Sequence, residues 1–191
     1  MIRLAILASG SGTNAEAIMT FLEKTPSKGS VELIISSNED AYVLQRARTH
    51  AVKAVTISKK MMRENPSLLV DTLTAENIDF VVLAGYMLLI PSNVVGMFPQ
   101  KIVNIHPALL PKFGGKGMYG DNVHKAVVEN NETESGITIH FVNEHYDEGN
   151  IVFQAKCDVG KNDTPDTLAA KIHKLEHLHY PEIINQIIAK L

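Results

Sequence analysis

The sequence predicts an α/β protein: a three-layer, open and mostly parallel sheet with helices on both faces and an antiparallel hairpin toward the C-terminus. Three observations carry that expectation. Near-continuous apolar runs of strand length alternate with amphipathic segments through residue 105, the pattern of a parallel sheet covered on both faces. A glycine-rich stretch, "ASGSGTN", stands where the first run passes into the first amphipathic segment, as it does where a strand turns sharply into a helix. Beyond residue 120 the order changes to one helix, two neighbouring strand-like runs and a long terminal helix.

Taken in order, Ile2 to Ala8, Val31 to Ile35, Ala54 to Ile57, Phe80 to Ala84 and Ile102 to Ile105 read as strands. Helices are expected from about Asn14, Ala41, Ser67 and Ser92, the last one short. A further helix should run from Asp121 to about Glu129. The alternating "SGITIHFV" and the run "NIVFQAKCDV", with the turn-like "NEHYDEG" between them, predict an antiparallel hairpin added to the sheet. The last segment offers Thr164 as a cap, a proline in the first turn and a long apolar stripe. It should form a helix kinked or interrupted at Pro181. No repeat or linker divides the chain, so residues 1–191 are expected to form one domain.

Composition narrows the function. A chain of 191 residues can bury a substantial core. A formal charge of −3 and a pI near 6.2 provide no global basic field for nucleic acid or an anionic membrane. The single Cys157 excludes an internal disulfide and zinc held by clustered cysteines. Without an 18-residue apolar run or a signal-like start, a cytoplasmic enzyme or binding protein is expected.

The first loop is a candidate phosphate cradle. Gly10 and Gly12 permit backbone conformations closed to other residues, and amides at a helix start can point at an anion. The same letters satisfy G-x-G-x-x-A with Ala15 in the third place, so a dinucleotide site is an alternative. That fingerprint wants an acid at the end of the second strand, where this sequence has Ser36, Ser37 and Asn38.

"KIVNIHPALLP" holds the sharpest signal. Asn104 and His106, two apart on a strand, point to one side, and Pro107 ends the ladder behind them. They therefore project together from the carboxyl end of a strand, where open α/β sheets bind ligands. An amide donor and a group that exchanges a proton near neutral pH suit a carbonyl gaining negative charge. A partner for the imidazole is available in the hairpin loop as Glu144, Asp147 or Glu148, and spacing leaves all three open. No G-x-S-x-G is present and Cys157 sits mid-strand, so the nucleophile should belong to the substrate.

Two further features stand apart. "HKLEH", His173 to His177, fits the inverted zinc-protease signature H-x-x-E-H, but that chemistry needs another ligand downstream, and Glu182 is the sole acid among the fourteen residues that follow. His140 lies opposite Ile137, Ile139 and Phe141 on its strand. It lines a ligand site or faces solvent.

"ASGSGTN", "DFVVLAGYM", "NIHPALLP", "GITIHFVNEHYDEGNIVFQ" and "KLEHLHYP" together resemble, in order and spacing, the phosphoribosylglycinamide formyltransferase family, the folate-dependent enzymes of purine biosynthesis. The resemblance covers essentially the whole chain. It implies a formyltransferase-like, Rossmann-related fold and formyl transfer from 10-formyltetrahydrofolate, without a metal, to the amine of phosphoribosylglycinamide. Asn104, His106 and Asp147 match the family's catalytic trio, with Asp147 raising the pKa of a protonated His106. Gly12, Thr13 and Asn14 match the loop that takes the substrate's phosphate, and Glu176 the acid at its ribose. Met87, Leu88, Leu89, Ile90, Asn143 and Arg63, together with Asn104, match the folate side.

The implied partners are these two small molecules, for a monomer or homodimer that binds neither nucleic acid nor membrane. Two departures from the family pattern stand out: "GGKGMYG" replaces a proline-glycine after the aromatic of "LLPKF", and Asn150 stands where proline is expected. Gly114 to Gly120 are expected to form a mobile flap beside the substrate. A nicotinamide-dinucleotide oxidoreductase and a non-catalytic phosphosugar-binding domain remain the alternatives.

Overall fold

The apolar run Ile2–Ala8 forms the central strand, β1, and its side chains alternate between two cores. Leu4, Ile6 and Ala8 enter one, Ala5 and Leu7 the other, the consequence of a period of two in a strand covered on both faces. A computed structural model describes residues 1–191. After β1 come α1 (Thr13–Lys24), β2 (Gly29–Ser36), α2 (Val43–Thr49), β3 (Lys53–Thr56), α3 (Lys59–Glu64), α4 (Leu68–Ala75) and β4 (Phe80–Leu83). The second half holds α5 (Ser92–Met97), β5 (Ile102–His106), α6 (Asp121–Glu129), β6 (Glu134–Phe141), β7 (Ile151–Asp158) and α7 (Pro165–Ile188).

The strands make one seven-stranded sheet in the order β3-β2-β1-β4-β5-β6-β7. β1 to β5 pair in parallel, and β6 and β7 join antiparallel. Side chains of α1, α2, α6 and α7 fill the core on one face; those of α4 and α5 fill the other. Each fully buried Leu or Ile contributes about 1.5–3 kcal/mol relative to exposure. The chain leaves β1 toward β2 and β3, then crosses back to lay β4 on the other side of β1. At such a reversal the loops diverge and open a crevice at the carboxyl ends of the strands.

The expected strands are all present, and the antiparallel hairpin is β6 and β7. Two details differ. Helix α3 was not foreseen: none of its six residues is buried and its only side-chain cap is Ser58 Oγ accepting from Met61 N–H, so it leaves no apolar period in the sequence. Helix α7, for its part, is not interrupted, running 24 residues through Pro181. Proline removes one helical hydrogen bond there, but Tyr180, Pro181, Ile183, Ile184 and Ile188 are all buried, and that packing outweighs the local cost.

Tyr180 also ties α7 to the sheet at the crevice. It is fully buried, and its hydroxyl lies 2.8 Å from the Leu83 carbonyl of β4 and 3.2 Å from the Val103 carbonyl of β5. Replacing it by phenylalanine keeps the ring and removes the donor from two buried carbonyls. Tyr180→Phe should destabilise the protein by about 1–2 kcal/mol, read as a lower urea midpoint with unchanged slope; an unmoved midpoint would show that the hydroxyl contributes nothing net.

Candidate active site

The loop after β1 is shaped by Gly12. It caps α1 in the left-handed conformation, φ +72°, and a Cβ on it would lie 2.5 Å from Val43 Cγ2, so both backbone and packing require glycine. The first amides of α1 have no acceptor within the helix and face the crevice with the positive end of its dipole. Ser9 braces this loop: its N–H donates to the Gly85 carbonyl at 3.0 Å and its Oγ accepts from Met87 N–H at 2.9 Å. Ser37 meets the Ser9 hydroxyl at 2.6 Å. The place where a dinucleotide fold keeps its ribose-binding acid is thus filled by a serine pair.

Asn14 turns from the loop toward α7, where its Nδ2 donates to Glu176 Oε2 at 3.0 Å. Its Oδ1 is buried with no partner. Glu176 is only 6% exposed, and burial raises its carboxyl above the ordinary range although Asn14 and His173 pull the other way. An unpaired buried acceptor beside a buried carboxyl is a costly arrangement. It fits a ligand that brings hydroxyl donors.

Asn104 and His106 stand at the end of β5 as the sequence predicts. His106 is 3% exposed and its Nε2 lies 2.8 Å from the Phe113 carbonyl. A carbonyl only accepts, so Nε2 carries the proton and Nδ1 is left toward Asp147, whose Oδ2 is 3.6 Å away. Of the three acids in the hairpin loop, Asp147 alone lines the cavity. It takes φ +57° and its Oδ2 accepts the Gly115 N–H at 2.9 Å.

Burial pushes Asp147 up, but His140, His106 and the Gly115 amide together hold it below its usual value, and hence ionised. For His106, burial is the largest influence and lowers it; the Asp147 charge and Phe113 carbonyl raise it without overcoming burial. Asp147 thus pulls the imidazole upward, as the resemblance implies, but by less than burial lowers it. Desolvation outweighs the carboxylate, and His106 is neutral near pH 7.

These groups line one cavity of about 630 Å³. Gly12, Thr13, Asn14 and Glu176 lie in its wall with the trio, as do Met87, Leu88, Leu89, Ile90 and Asn143. Gly115 to Gly120 form another side, while Arg63, exposed on α3, does not reach it. Beside the trio, the wall also holds His140, His124 and His173. His140, 2% exposed, bonds Asn104 Nδ2 through Nε2 at 3.2 Å and faces Asp147 Oδ1 at 3.6 Å. His124, 3% exposed on α6, has a buried Nδ1 without a partner; burial first, then His173 and His106, keep it below the usual imidazole range against Asp121.

The third is His173 of the H-x-x-E-H run. Its ring stacks on His177 at 6.4 Å while Glu176 is committed to Asn14. His140 was legible from the pairing of β6 against β5, where it sits opposite Asn104. His124 carries no such signal.

A switch-point crevice with an anion-ready helix start, a buried acid and an amide–imidazole–carboxylate set defines a Rossmann-related α/β fold of the group-transferring kind. The family described as formyl transferase matches residues 2–184. "Phosphoribosylglycinamide formyltransferase, chloroplastic" of Arabidopsis thaliana is 44% identical over 190 residues, covering 97% of this chain and 65% of that protein. The Bacillus subtilis phosphoribosylglycinamide formyltransferase is 33% identical, covering 98% of this chain and 95% of that one. The chain therefore spans somewhat under two thirds of the Arabidopsis relative and 60% of the Vigna unguiculata one. Among solved structures, glycinamide ribonucleotide transformylase 1 from Symbiobacterium toebii superposes with a TM-score of 0.92 at 37% identity, covering 100% of this chain and 89% of that one. The chain belongs to the phosphoribosylglycinamide formyltransferase family.

The raised Glu176 carboxyl gives a pH-dependent stability. Its contribution is complete below the reference value of 4.5 and is lost as pH rises through the higher folded value, because the buried carboxylate must then ionise. Glu176→Gln keeps an acceptor for Asn14 and removes the charge. Its melting temperature should exceed that of the wild type by a few degrees at about pH 8, at about 2–4 °C per kcal/mol, and by much less at about pH 4; equal differences at both pH values would refute this.

Proposed function

We propose that this chain transfers the formyl group of 10-formyltetrahydrofolate to the amine of phosphoribosylglycinamide, giving formylglycinamide ribonucleotide and tetrahydrofolate in purine biosynthesis. The observation that carries this reading is the convergence in one cavity of the Gly12–Asn14 loop, Glu176 and the Asn104, His106 and Asp147 side chains. It treats residues 1–191 as one formyltransferase domain, acting in the cytoplasm as a monomer or homodimer.

The residues fit both substrates. The Gly12, Thr13 and Asn14 amides suit a phosphate, and Glu176 with the free Asn14 Oδ1 suits ribose hydroxyls. Met87, Leu88, Leu89 and Ile90 offer an apolar wall and Asn143 an amide for a pterin. Arg63 takes no part in this reading.

In the reaction, the glycinamide nitrogen bonds to the formyl carbon and the bond from that carbon to the folate N10 breaks. The nitrogen loses one proton and N10 gains one. Asn104 donates to the formyl oxygen as it gains charge, a contact worth on the order of 3 kcal/mol. His106 Nδ1 and Asp147 Oδ2 face each other across 3.6 Å, too far for a direct hydrogen bond. Both are acceptors in the free site, and the gap takes a substrate N–H.

His106 receives the amine proton at Nδ1, Asp147 stabilises the imidazolium formed, and the same nitrogen returns the proton toward N10. Holding amine and formyl carbon in attack geometry contributes roughly 7–11 kcal/mol.

Purified protein given both substrates should release deformylated folate, and His106→Ala and Asn104→Ala should each lose about a hundredfold or more in kcat. Substrate affinity without turnover would mark a binding domain, and a change in nicotinamide absorbance an oxidoreductase. Turnover undiminished in His106→Ala would remove the imidazole from the mechanism.

A further inference from the structure

His140 is the one buried histidine of the site whose two nitrogens both have protein partners. Its Nδ1 lies 2.9 Å from the Phe141 carbonyl. Since a carbonyl cannot donate, Nδ1 carries a hydrogen, and Nε2 is the nitrogen left to accept. That nitrogen meets Asn104 Nδ2 at 3.2 Å. An amide has a donor end and an acceptor end of nearly the same shape, and here only the donor end can face Nε2. The second hydrogen on Nδ2 has no protein partner.

We propose that His140 is a positioning residue for formyl transfer: its Nδ1–H tautomer, fixed by the Phe141 carbonyl, makes Nε2 the acceptor that holds Asn104 with an N–H free for the formyl oxygen. This rests on the formyl-transfer reading of the site. The backbone is built around the contact. Asn104 and His140 are directly paired in the β5–β6 ladder, and the β6–β7 register shifts at Ile139/His140, the local twist that re-aims a side chain beside a site. The Phe141 carbonyl is hemmed in by Gly149, where a Cβ would fall 1.6 Å from that oxygen. Any side chain at 149 displaces the carbonyl that sets the tautomer.

Without the acceptor, the Asn104 amide is free to turn its oxygen toward the formyl oxygen, where it repels rather than stabilises. The effect falls on the transition state and leaves substrate binding in place.

His140→Leu removes the acceptor at similar volume, and His140→Gln supplies one again as a side-chain carbonyl. We expect kcat to fall about tenfold to a hundredfold in His140→Leu, with both KM values within about threefold, and substantial recovery in His140→Gln. In an Asn104→Ala background, His140→Leu should change kcat by less than about twofold, since its partner is gone. Full kcat in His140→Leu, or equal losses in the two backgrounds, would overturn the proposal. Should His140→Leu fail to melt cooperatively, His140→Ala in the two backgrounds provides the same cycle. Nitrogen-15 shifts of the ligand-free protein, assigned by the signal lost in His140→Gln, provide a readout independent of turnover. The Nδ1–H tautomer supports the lock and the Nε2–H tautomer refutes it, whereas absent turnover in wild type fails only the formyl-transfer reading.

Discussion

The site depends on the register between β5 and β6. Asn104 lies opposite His140, and His106 opposite Thr138, so two polar residues of a buried parallel strand meet a polar face on its antiparallel neighbour. Thr138 is itself buried, its hydroxyl donating to the Ala108 carbonyl and accepting the Leu110 N–H, which fixes the chain just beyond His106. A slip of one residue would bring Ile137, Ile139 or Phe141 to the crevice side and send His140 into the core. The same hairpin carries Asp147 across the cavity mouth, so the pairing sets the carboxylate as well as the imidazoles.

Electrostatics then divides the labour. His106 and His140 are arranged as near mirror images: each secures one ring nitrogen on a backbone carbonyl, of Phe113 and Phe141 respectively, and directs the other to a separate oxygen of Asp147 at 3.6 Å. Burial makes charge expensive for His106, while the Gly115 N–H makes it tolerable for the carboxylate. The free site therefore keeps one negative charge and a neutral His106. A proton entering the gap between His106 and Asp147 converts an ion beside a neutral ring into an ion pair, which costs far less in a low dielectric than creating a lone imidazolium.

How much of this was legible in the sequence follows from the range of each interaction. The strands and the first helix were readable because their apolar period is local, and Asn104 with His106 because strand period and Pro107 are local too. Among Glu144, Asp147 and Glu148 the choice required family resemblance, since which loop acid faces a distant strand is a tertiary fact. His140 had its orientation written in the alternation of its strand, but its meaning depended on a pairing 36 residues away. His124 was not legible at all. Helix α3 escaped because nothing in it is buried, and α7 ran on through Pro181 because packing prevailed over a local rule.

The two departures from the family pattern can be weighed by which atoms the site uses. At the start of the Gly114–Gly120 segment, the group that matters is the Gly115 N–H on Asp147. If the family's proline-glycine aligns with Gly114 and Gly115, the substitution falls on Gly114, whose own N–H makes no backbone hydrogen bond. The contact to Asp147 survives the change; glycine adds freedom to the unfolded chain, about 0.4–1 kcal/mol, and leaves room for Leu110, whose Cδ2 would lie 2.5 Å from a Cβ at 114. At the hairpin, Asn150 contributes its carbonyl, which accepts the Phe141 N–H at 2.9 Å. Proline presents the same carbonyl. Neither departure removes an atom on which Asp147, and through it His106, depends.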